Sequence, residues 1–364
     1  VNGAYKIIAF TARGEALGRR LADLLDAELT RCSGGGLDRW TAANFKTGNT
    51  LVFIGSLGIC VRAIAPYARE KISDPAVLCL DEDAEYIIPV LSGHYGGANQ
   101  IALDLARVLG SRAVITTATD RRGVFAVDSW AQREGLRIVN PEAIVRVSSA
   151  LLDQKTIKFF STLPIEGKPP VGVAYEFVGA NLYKSETLRK IAADSIVLDS
   201  RLFAPTAPSN QNGVKSRVMD GQGTEPQIPL QLIAPIFSIG IGCRRGTATD
   251  LIKQAVFSVL SDLAIPLTAI NNIGSIDLKA DEAGLLLFSR EFGWPLVTAS
   301  ATELASLPGN FSPSEFVLEV TGVDNVCERA ALMAAGSEAI LVQPKKALNG
   351  VTVAVAKANK KYRF

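Results

Sequence analysis

Through the first hundred or so residues, short apolar runs alternate with amphipathic stretches. Tyr5 to Phe10, Thr50 to Ile54, Ala76 to Leu80, Tyr86 to Leu91 and Ala113 to Thr117 read as strands. Glu15 to Leu29, Ile59 to Glu70 (interrupted at Pro66) and Ala98 to Leu109 carry apolar residues at helical spacing. This alternation predicts a parallel sheet flanked by helices. On the last of these helices Ile101, Leu105, Val108 and Leu109 are expected to face the sheet.

The pattern weakens from Phe125 to about Ala204, where Ala143 to Leu152 reads as a helix and Ile157 to Phe160 and Val171 to Phe177 as strands. Residues 204–235 hold five of the 17 prolines and little periodicity, which predicts a linker or long loop. A second α/β pattern then begins. Phe237 to Ile241, Leu267 to Ile270 and Leu296 to Thr298 are strand-like, and Thr247 to Leu260, Glu282 to Phe292 and Asn325 to Ala335 are helical. Ile340 to Val342 and Val351 to Val355 flank Asn349-Gly350, a hairpin-turn dipeptide. The expected architecture is two α/β domains with mainly parallel sheets, 1–125 and 236–364, joined by a smaller, loosely patterned middle region, 126–203, and the loop at 204–235.

Composition narrows the function. The 364 residues, 48% hydrophobic and 20% charged with a net charge of +2, fit a folded multidomain protein, and neither disorder nor a basic nucleic-acid binder. No apolar run approaches the roughly 18 residues of a membrane span, and no signal-peptide core opens the chain, so a cytoplasmic protein is expected. Five cysteines at irregular spacing, none in a Cys-x-x-Cys pair, argue against a disulfide frame or a zinc site. His94 is the one histidine in the chain, which excludes any site needing two imidazoles.

Two glycine turns could carry chemistry. Leu91-Ser92-Gly93-His94-Tyr95-Gly96-Gly97-Ala98-Asn99 joins a strand to a helix. In open α/β sheets ligands bind at the carboxyl ends of strands, so the turn can cradle an anion on its backbone N–H groups, with small neighbours leaving the imidazole uncovered. The alternative is that the glycines serve the turn and His94 caps or packs. Ser92 lacks the Gly-x-Ser-x-Gly setting of a hydrolase nucleophile. Gly240-Ile241-Gly242-Cys243-Arg244-Arg245-Gly246-Thr247 resembles a dinucleotide fingerprint with one residue too many, and the ribose acid would have to be Asp262. An anion site remains, built from Gly242 and two guanidiniums suited to carboxylates. Cys243 could be an activated nucleophile or simply pack, and packing is the favoured reading. Thr116-Thr117-Ala118-Thr119-Asp120 ends a strand in hydroxyls and an acid. Ser275 to Glu282 mixes charges before a helix, and Glu328 is either an acid-base group or a first-turn acid. No phosphate loop of the Gly-Lys-Ser/Thr kind occurs.

Taken together, Gly55-Ser56-Leu57-Gly58-Ile59-Cys60-Val61-Arg62-Ala63-Ile64-Ala65-Pro66, Asp74-Pro75-Ala76-Val77, Leu91 to Asn99 and Val114 to Asp120 resemble the cobalamin biosynthesis protein G family. So do Gly240 to Thr247, Ser275 to Glu282 and Val326-Cys327-Glu328-Arg329-Ala330-Ala331-Leu332. The resemblance spans roughly residues 50–140 and 236–356 and is loose in 141–235. It implies a cobalt-precorrin-5A hydrolase of anaerobic cobalamin synthesis, which opens the ring A δ-lactone and releases acetaldehyde. The partner is then a cobalt-containing tetrapyrrole, with no nucleic acid or membrane and with room for a homodimer. No cofactor or metal site of the protein's own is expected, because the cobalt arrives with the substrate.

On that reading His94 and Glu328 are the expected acid-base groups, and Gly96, Gly97 and Gly242 offer backbone N–H groups to an oxyanion. Arg62, Arg244 and Arg245, with Ser92, Asn99, Thr117, Asp120, Thr247 and Lys279, are expected to hold the substrate. Two rivals are a non-catalytic tetrapyrrole-binding or delivery protein, and a nucleotide-dependent oxidoreductase.

Overall fold

A computed structural model describes residues 4–70, 73–94, 96–117, 123–179, 191–200 and 228–364. The described residues form two compact units. One holds those up to Arg133 with 144–157 and 170–173, and the other holds 134–143, 158–169 and those from Ala174 onward.

The first unit is built on β1 (Tyr5–Ala9), β2 (Glu28–Arg31), β3 (Thr50–Ile54), β4 (Ala76–Leu80), β5 (Tyr86–Leu91) and β6 (Arg112–Ala113), in the order β2-β1-β3-β4-β5-β6. Every residue of β3 and β4 is buried, as the continuous apolar runs require of strands covered on both faces. Their alternation sorts the helices. Ile7, Ala9, Val52, Ile54, Leu78 and Leu80 meet Leu17 and Leu21 of α1 (Ala12–Leu25). On the opposite face Ile8, Leu51, Phe53, Val77 and Cys79 meet Leu37 and Trp40 of α2 (Leu37–Asn44) and Cys60, Ala63 and Ile64 of α3 (Leu57–Ile64). Ala98, Ala102 and Leu105 of α4 (Ala98–Leu109) join the first cluster.

Several boundaries differ from the sequence pattern. The first helix starts early because the Thr11 hydroxyl accepts from the Gly14 N–H, and it stops at Asp26 with φ of 49°. Leu29, expected in that helix, lies in β2, which pairs parallel with β1. Val108 of α4 is 63% exposed, because Ala98, Asn99 and Ala102 already fill the buried stripe. β6 is two residues long rather than five, and α3 ends two residues before Pro66.

The region of weak periodicity nevertheless carries a sheet. Its strands are β7 (Arg137–Ile138), β8 (Ile157–Ser161), β10 (Val173–Phe177), β11 (Ile196–Asp199) and β12 (Leu230–Ile233), in the order β10-β8-β11-β12-β7. Strands of two to five residues leave too few alternations to read from sequence. β12 falls inside the stretch expected to be a loop, of which residues 201–227 lie outside the described residues. β9 (Ile165–Glu166) pairs separately with the last strand of the chain. Two helices, α5 (Val127–Arg133) and α6 (Ile144–Leu152), belong largely to the first unit.

The last sheet has the order β15-β14-β13-β17-β16, with β13 (Phe237–Cys243), β14 (Ile270–Ile276) and β15 (Leu296–Ala299) parallel. β16 (Ile340–Leu348) and β17 (Val351–Lys357) form the expected hairpin, with Asn349 and Gly350 both at positive φ (52° and 80°), as a type I′ turn demands. β18 (Tyr362–Arg363) is the partner of β9. Helices α7 (Thr249–Asp262) and α8 (Ala283–Phe292) pack on each other, and α9 (Ala301–Ser306) and α10 (Glu315–Thr321) lead to α11 (Cys327–Ala335). Leu267 to Ala269 forms a 3-10 turn, so β14 starts at Ile270 where a strand was expected to end.

Helix α11 lies against a row of small residues. Gly240 stands in register with Gly274 on one side and Ala354 on the other. A Cβ on Gly240 would sit 1.8 Å from the Cys327 carbonyl oxygen, and one on Gly274 would sit 2.3 Å from that of Ala330. These glycines let a helix backbone approach strand backbones. Among the described residues no helix is long and apolar enough to cross a membrane.

Gly240→Ala is expected to destabilise this unit by about 3 kcal/mol, read as a lower urea midpoint. Gly58→Ala is the comparison. Its added Cβ meets the mobile end of Arg62 at 3.5 Å, and a shift within about 0.5 kcal/mol is expected.

Candidate active site

In the first unit β5 runs antiparallel to β4, so the turn after Leu91 emerges beside Val77 at the amino end of β4. The sequence-based expectation put this turn with the carboxyl ends of the strands, and the reversal of β5 moves it to the other end of the central strands. The turn is closed by its own backbone. Gly97 N–H donates to the His94 carbonyl (3.0 Å), Ala98 N–H to Ser92 (3.2 Å) and Asn99 N–H to Gly93 (2.9 Å). Ser92 takes a left-handed φ of 53°, and its hydroxyl donates to the Asp74 carbonyl at 2.9 Å, fixing the turn to the segment entering β4. A Cβ at Gly93 would meet Asn99 Oδ1 at 2.6 Å, and one at Gly96 would meet Ser92 Cβ at 2.6 Å. Asn99 is buried and its amide donates to Thr117 Oγ1 at 2.8 Å. Ser92, Asn99 and Thr117, expected on substrate, therefore hold the turn. Gly97 N–H, expected in an oxyanion hole, is committed inside it. Gly96 N–H is in no hydrogen bond among the described residues. Asp120 lies outside the described residues.

The His94 side chain is 9% exposed, so the imidazole is largely covered rather than open. What covers it is chemically telling. Its Nδ1 stands 3.5 Å from Oδ2 of Asp128, itself 4% exposed on the first turn of α5. The other oxygen of Asp128 accepts from the Ser129 N–H at 3.0 Å. Sequence reading passed over Asp128, because it falls where the hydrophobic pattern weakens and nothing in the spacing links position 94 to position 128. Gln132, one turn further on, reaches the space over Gly97.

In the second unit the turn after β13 stands at the carboxyl end of parallel strands, where α/β sheets bind ligands. Most of its polar groups face one another. Arg245 Nη1 lies 3.2 Å from both oxygens of Asp281, and its Nη2 donates to the Leu278 carbonyl at 3.0 Å. This contact holds the Asp281 carboxyl below its ordinary range. Gly246 N–H donates to Glu282 Oε1 (2.8 Å), Lys279 Nζ meets the other Glu282 oxygen (3.1 Å), and the Thr247 hydroxyl donates to the Arg244 carbonyl (2.7 Å). Arg245 thus ties two loops together, and Thr247 and Lys279 each bond within their own segment, in place of the substrate contacts expected of them. Arg244 is exposed, as is Arg62 on α3, and neither guanidinium pairs with a carboxylate among the described residues.

Three further expectations are corrected. Gly242 lies within a strand, in register with Thr352, whose hydroxyl donates to the Gly242 carbonyl at 3.2 Å, so it offers no free anion cradle. Glu328 is 1% exposed, and its two oxygens accept from the Ser312 N–H (3.0 Å) and the Lys345 N–H (2.7 Å), which makes it a tie between loops. The dinucleotide reading fails at Gly240, where the backbone of α11 occupies the place a pyrophosphate would need. Burial raises the Cys243 thiol and pushes Cys327 up to about 11, so both stay protonated at neutral pH, and the packing reading of Cys243 fits this. Among the described residues no group of three His, Cys, Asp or Glu side chains could hold a metal ion.

The family model for the cobalamin synthesis G N-terminal region matches residues 39–120, and that for the cobalamin synthesis G C-terminus matches residues 237–356. A cobalt-precorrin-5A hydrolase of Priestia megaterium is 28% identical over 98% of this chain and 95% of its own length. One of Salmonella typhimurium is 29% identical over 97% of each. Protein CobE of a Sinorhizobium species is 30% identical over 32% of this chain and 77% of its own length.

Glu328→Gln places an amide N–H2 against a backbone donor. An unfolding free energy lowered by about 2 kcal/mol is expected, with activity per folded molecule retained. Cys327 is expected to resist iodoacetamide at pH 8 in the folded protein and to react once urea unfolds it, as read by mass spectrometry.

Proposed function

The chain belongs to the cobalamin synthesis G family, and from that membership we propose that it hydrolyses cobalt-precorrin-5A, giving cobalt-precorrin-5B and acetaldehyde. The observation that carries a mechanism is the solitary imidazole, set in a glycine turn with a buried carboxylate at its Nδ1. His94 Nε2 takes a proton from water as the water oxygen bonds to the lactone carbonyl carbon. The negative charge that develops on the carbonyl oxygen is met by the Gly96 N–H, the free donor two residues along the same turn. The acyl C–O bond then breaks and the departing oxygen recovers the proton from Nε2, so the imidazole ends neutral.

The opened product carries a hydroxyl on the carbon that bore the lactone oxygen. Loss of that hydroxyl proton forms the aldehyde C=O, and the electron pair of the breaking C–C bond passes into the conjugated macrocycle, which takes up a proton. Substrate and one water thus become product and acetaldehyde. The cobalt-bearing ring is its own electron sink, so the chain needs no resident cofactor. Arg62, exposed in the same unit as His94, holds a peripheral carboxylate of the substrate.

His94→Ala is expected to slow acetaldehyde release by about 10²- to 10⁴-fold with an unchanged circular dichroism spectrum. A rate near that of the parent protein rejects the base. A carrier protein would release no acetaldehyde in either form. Arg62→Gln is expected to raise KM by about tenfold with kcat retained, and an unchanged KM removes Arg62 from the site.

A further inference from the structure

We propose that the outer face of α3 is where the macrocycle rests: Leu57 and Val61 take the apolar face of the ring beside the carboxylate held by Arg62. This inference rests on the substrate being a tetrapyrrole fringed with carboxylates, as the proposed reaction requires. Helix α3 fills its share of the core with Cys60, Ala63 and Ile64, none more than 4% exposed. Leu57 and Val61 stand one turn apart on its exposed side, at 41% and 46%.

Charge says what covers this face. α3 contains no acidic residue, and among the described residues Arg62 pairs with no carboxylate. Its guanidinium folds back over Gly58, with Nη1 and Nη2 3.5 and 3.6 Å from where a Cβ would stand, and Ser56 Oγ lies 3.8 Å from the same point. The missing side chain thus lets the cation lie along the helix beside Leu57 and beside a hydroxyl that makes no capping bond. A second copy of the chain seated on this face by two-fold symmetry would bring two Arg62 guanidiniums together with no acid of α3 between them. An apolar ring with ionised carboxylates on its rim matches both halves of the face: the ring removes Leu57 and Val61 from water, and a rim carboxylate accepts from the guanidinium.

The face also leads toward the base. Leu91, which precedes the His94 turn, packs in the same cluster as Cys60 and Ile64. Because β3 and β4 are parallel, α3 returns from the carboxyl end of β3 toward the amino end of β4, beside which that turn emerges.

The probe is cobyrinic acid, a cobalt corrinoid fringed with free carboxylates. Its methyl ester, with the same ring and the carboxylates capped, separates the two halves of the face. Both are titrated into the full chain and followed by difference absorbance. Leu57→Gln/Val61→Gln is expected to weaken acid and ester alike by about tenfold, with an unchanged thermal midpoint. Arg62→Gln is expected to weaken the acid by about tenfold and to leave the ester within about twofold. Leu103→Gln/Val108→Gln, an exposed apolar pair on α4 of the same unit, is expected to change neither. KM for cobalt-precorrin-5A is expected to rise with the α3 variant by about tenfold, with kcat retained.

A parent protein that does not bind the acid overturns the inference, and so does a Leu57→Gln/Val61→Gln affinity within about twofold of the parent. Equal weakening by the α4 pair means general apolar adhesion and overturns it as well. A sedimentation mass that falls from dimer to monomer in the α3 variant assigns the face to a second copy instead. If the parent binds the acid as described yet releases no acetaldehyde from cobalt-precorrin-5A, the proposed reaction fails while the docking face stands.

Discussion

Backbone meets backbone in this chain at places where one methyl group would not fit, and both units depend on it. In the second, α11 lies on Gly240 and Gly274 with its carbonyls 1.8 and 2.3 Å from where Cβ atoms would stand. Cys327, Ala331, Ala354 and Ala356 close the space around that contact. Larger side chains would lift the helix and open voids on both sides, so the layer has a single seating. In the first unit the same steric limit folds the His94 turn on itself. Gly93 gives way to Asn99 and Gly96 to Ser92, and the imidazole is delivered to Asp128 at the end of that compact turn.

This explains why glycine motifs can mislead. A strand, a glycine turn and a helix N-terminus have the same sequence signature whether the absent side chain makes room for a phosphate or for another part of the protein. Here Gly240 makes room for a helix, Gly242 for Thr352, and Gly97 N–H bonds within its own turn. Among the described residues the Gly96 N–H is in no hydrogen bond and the Arg62 guanidinium is exposed, and such groups suit a reaction in which the macrocycle supplies the electron sink and the protein supplies orientation and proton transfer.

The long parallel strands were legible because burial on both faces writes an uninterrupted apolar run, as in Thr50 to Ile54 and Ala76 to Leu80. The Asn349-Gly350 hairpin was legible because few residues adopt two successive positive φ angles. β14 was hidden, since Asn272 and Gly274, which its contact with α11 demands, look like breakers of a strand. The middle sheet was hidden by the shortness of its strands. His94 could be found because it is unique. Asp128 could not, because its place beside His94 depends on a contact between segments 34 positions apart that no local pattern encodes. Glu328 and Arg245 show the converse: a charge beside a motif was read as chemistry, and it binds the protein to itself.

The account stands on water attacking the lactone at its carbonyl carbon, with the rest of the chemistry left to the ring. Running the reaction in H₂¹⁸O and analysing the macrocyclic product by mass spectrometry tests this most directly. One ¹⁸O atom retained in the ring A acetate carboxylate is predicted. A product whose carboxylate carries only ¹⁶O, formed while acetaldehyde is released, would mean that the other side of the ester oxygen is cleaved and would contradict the account.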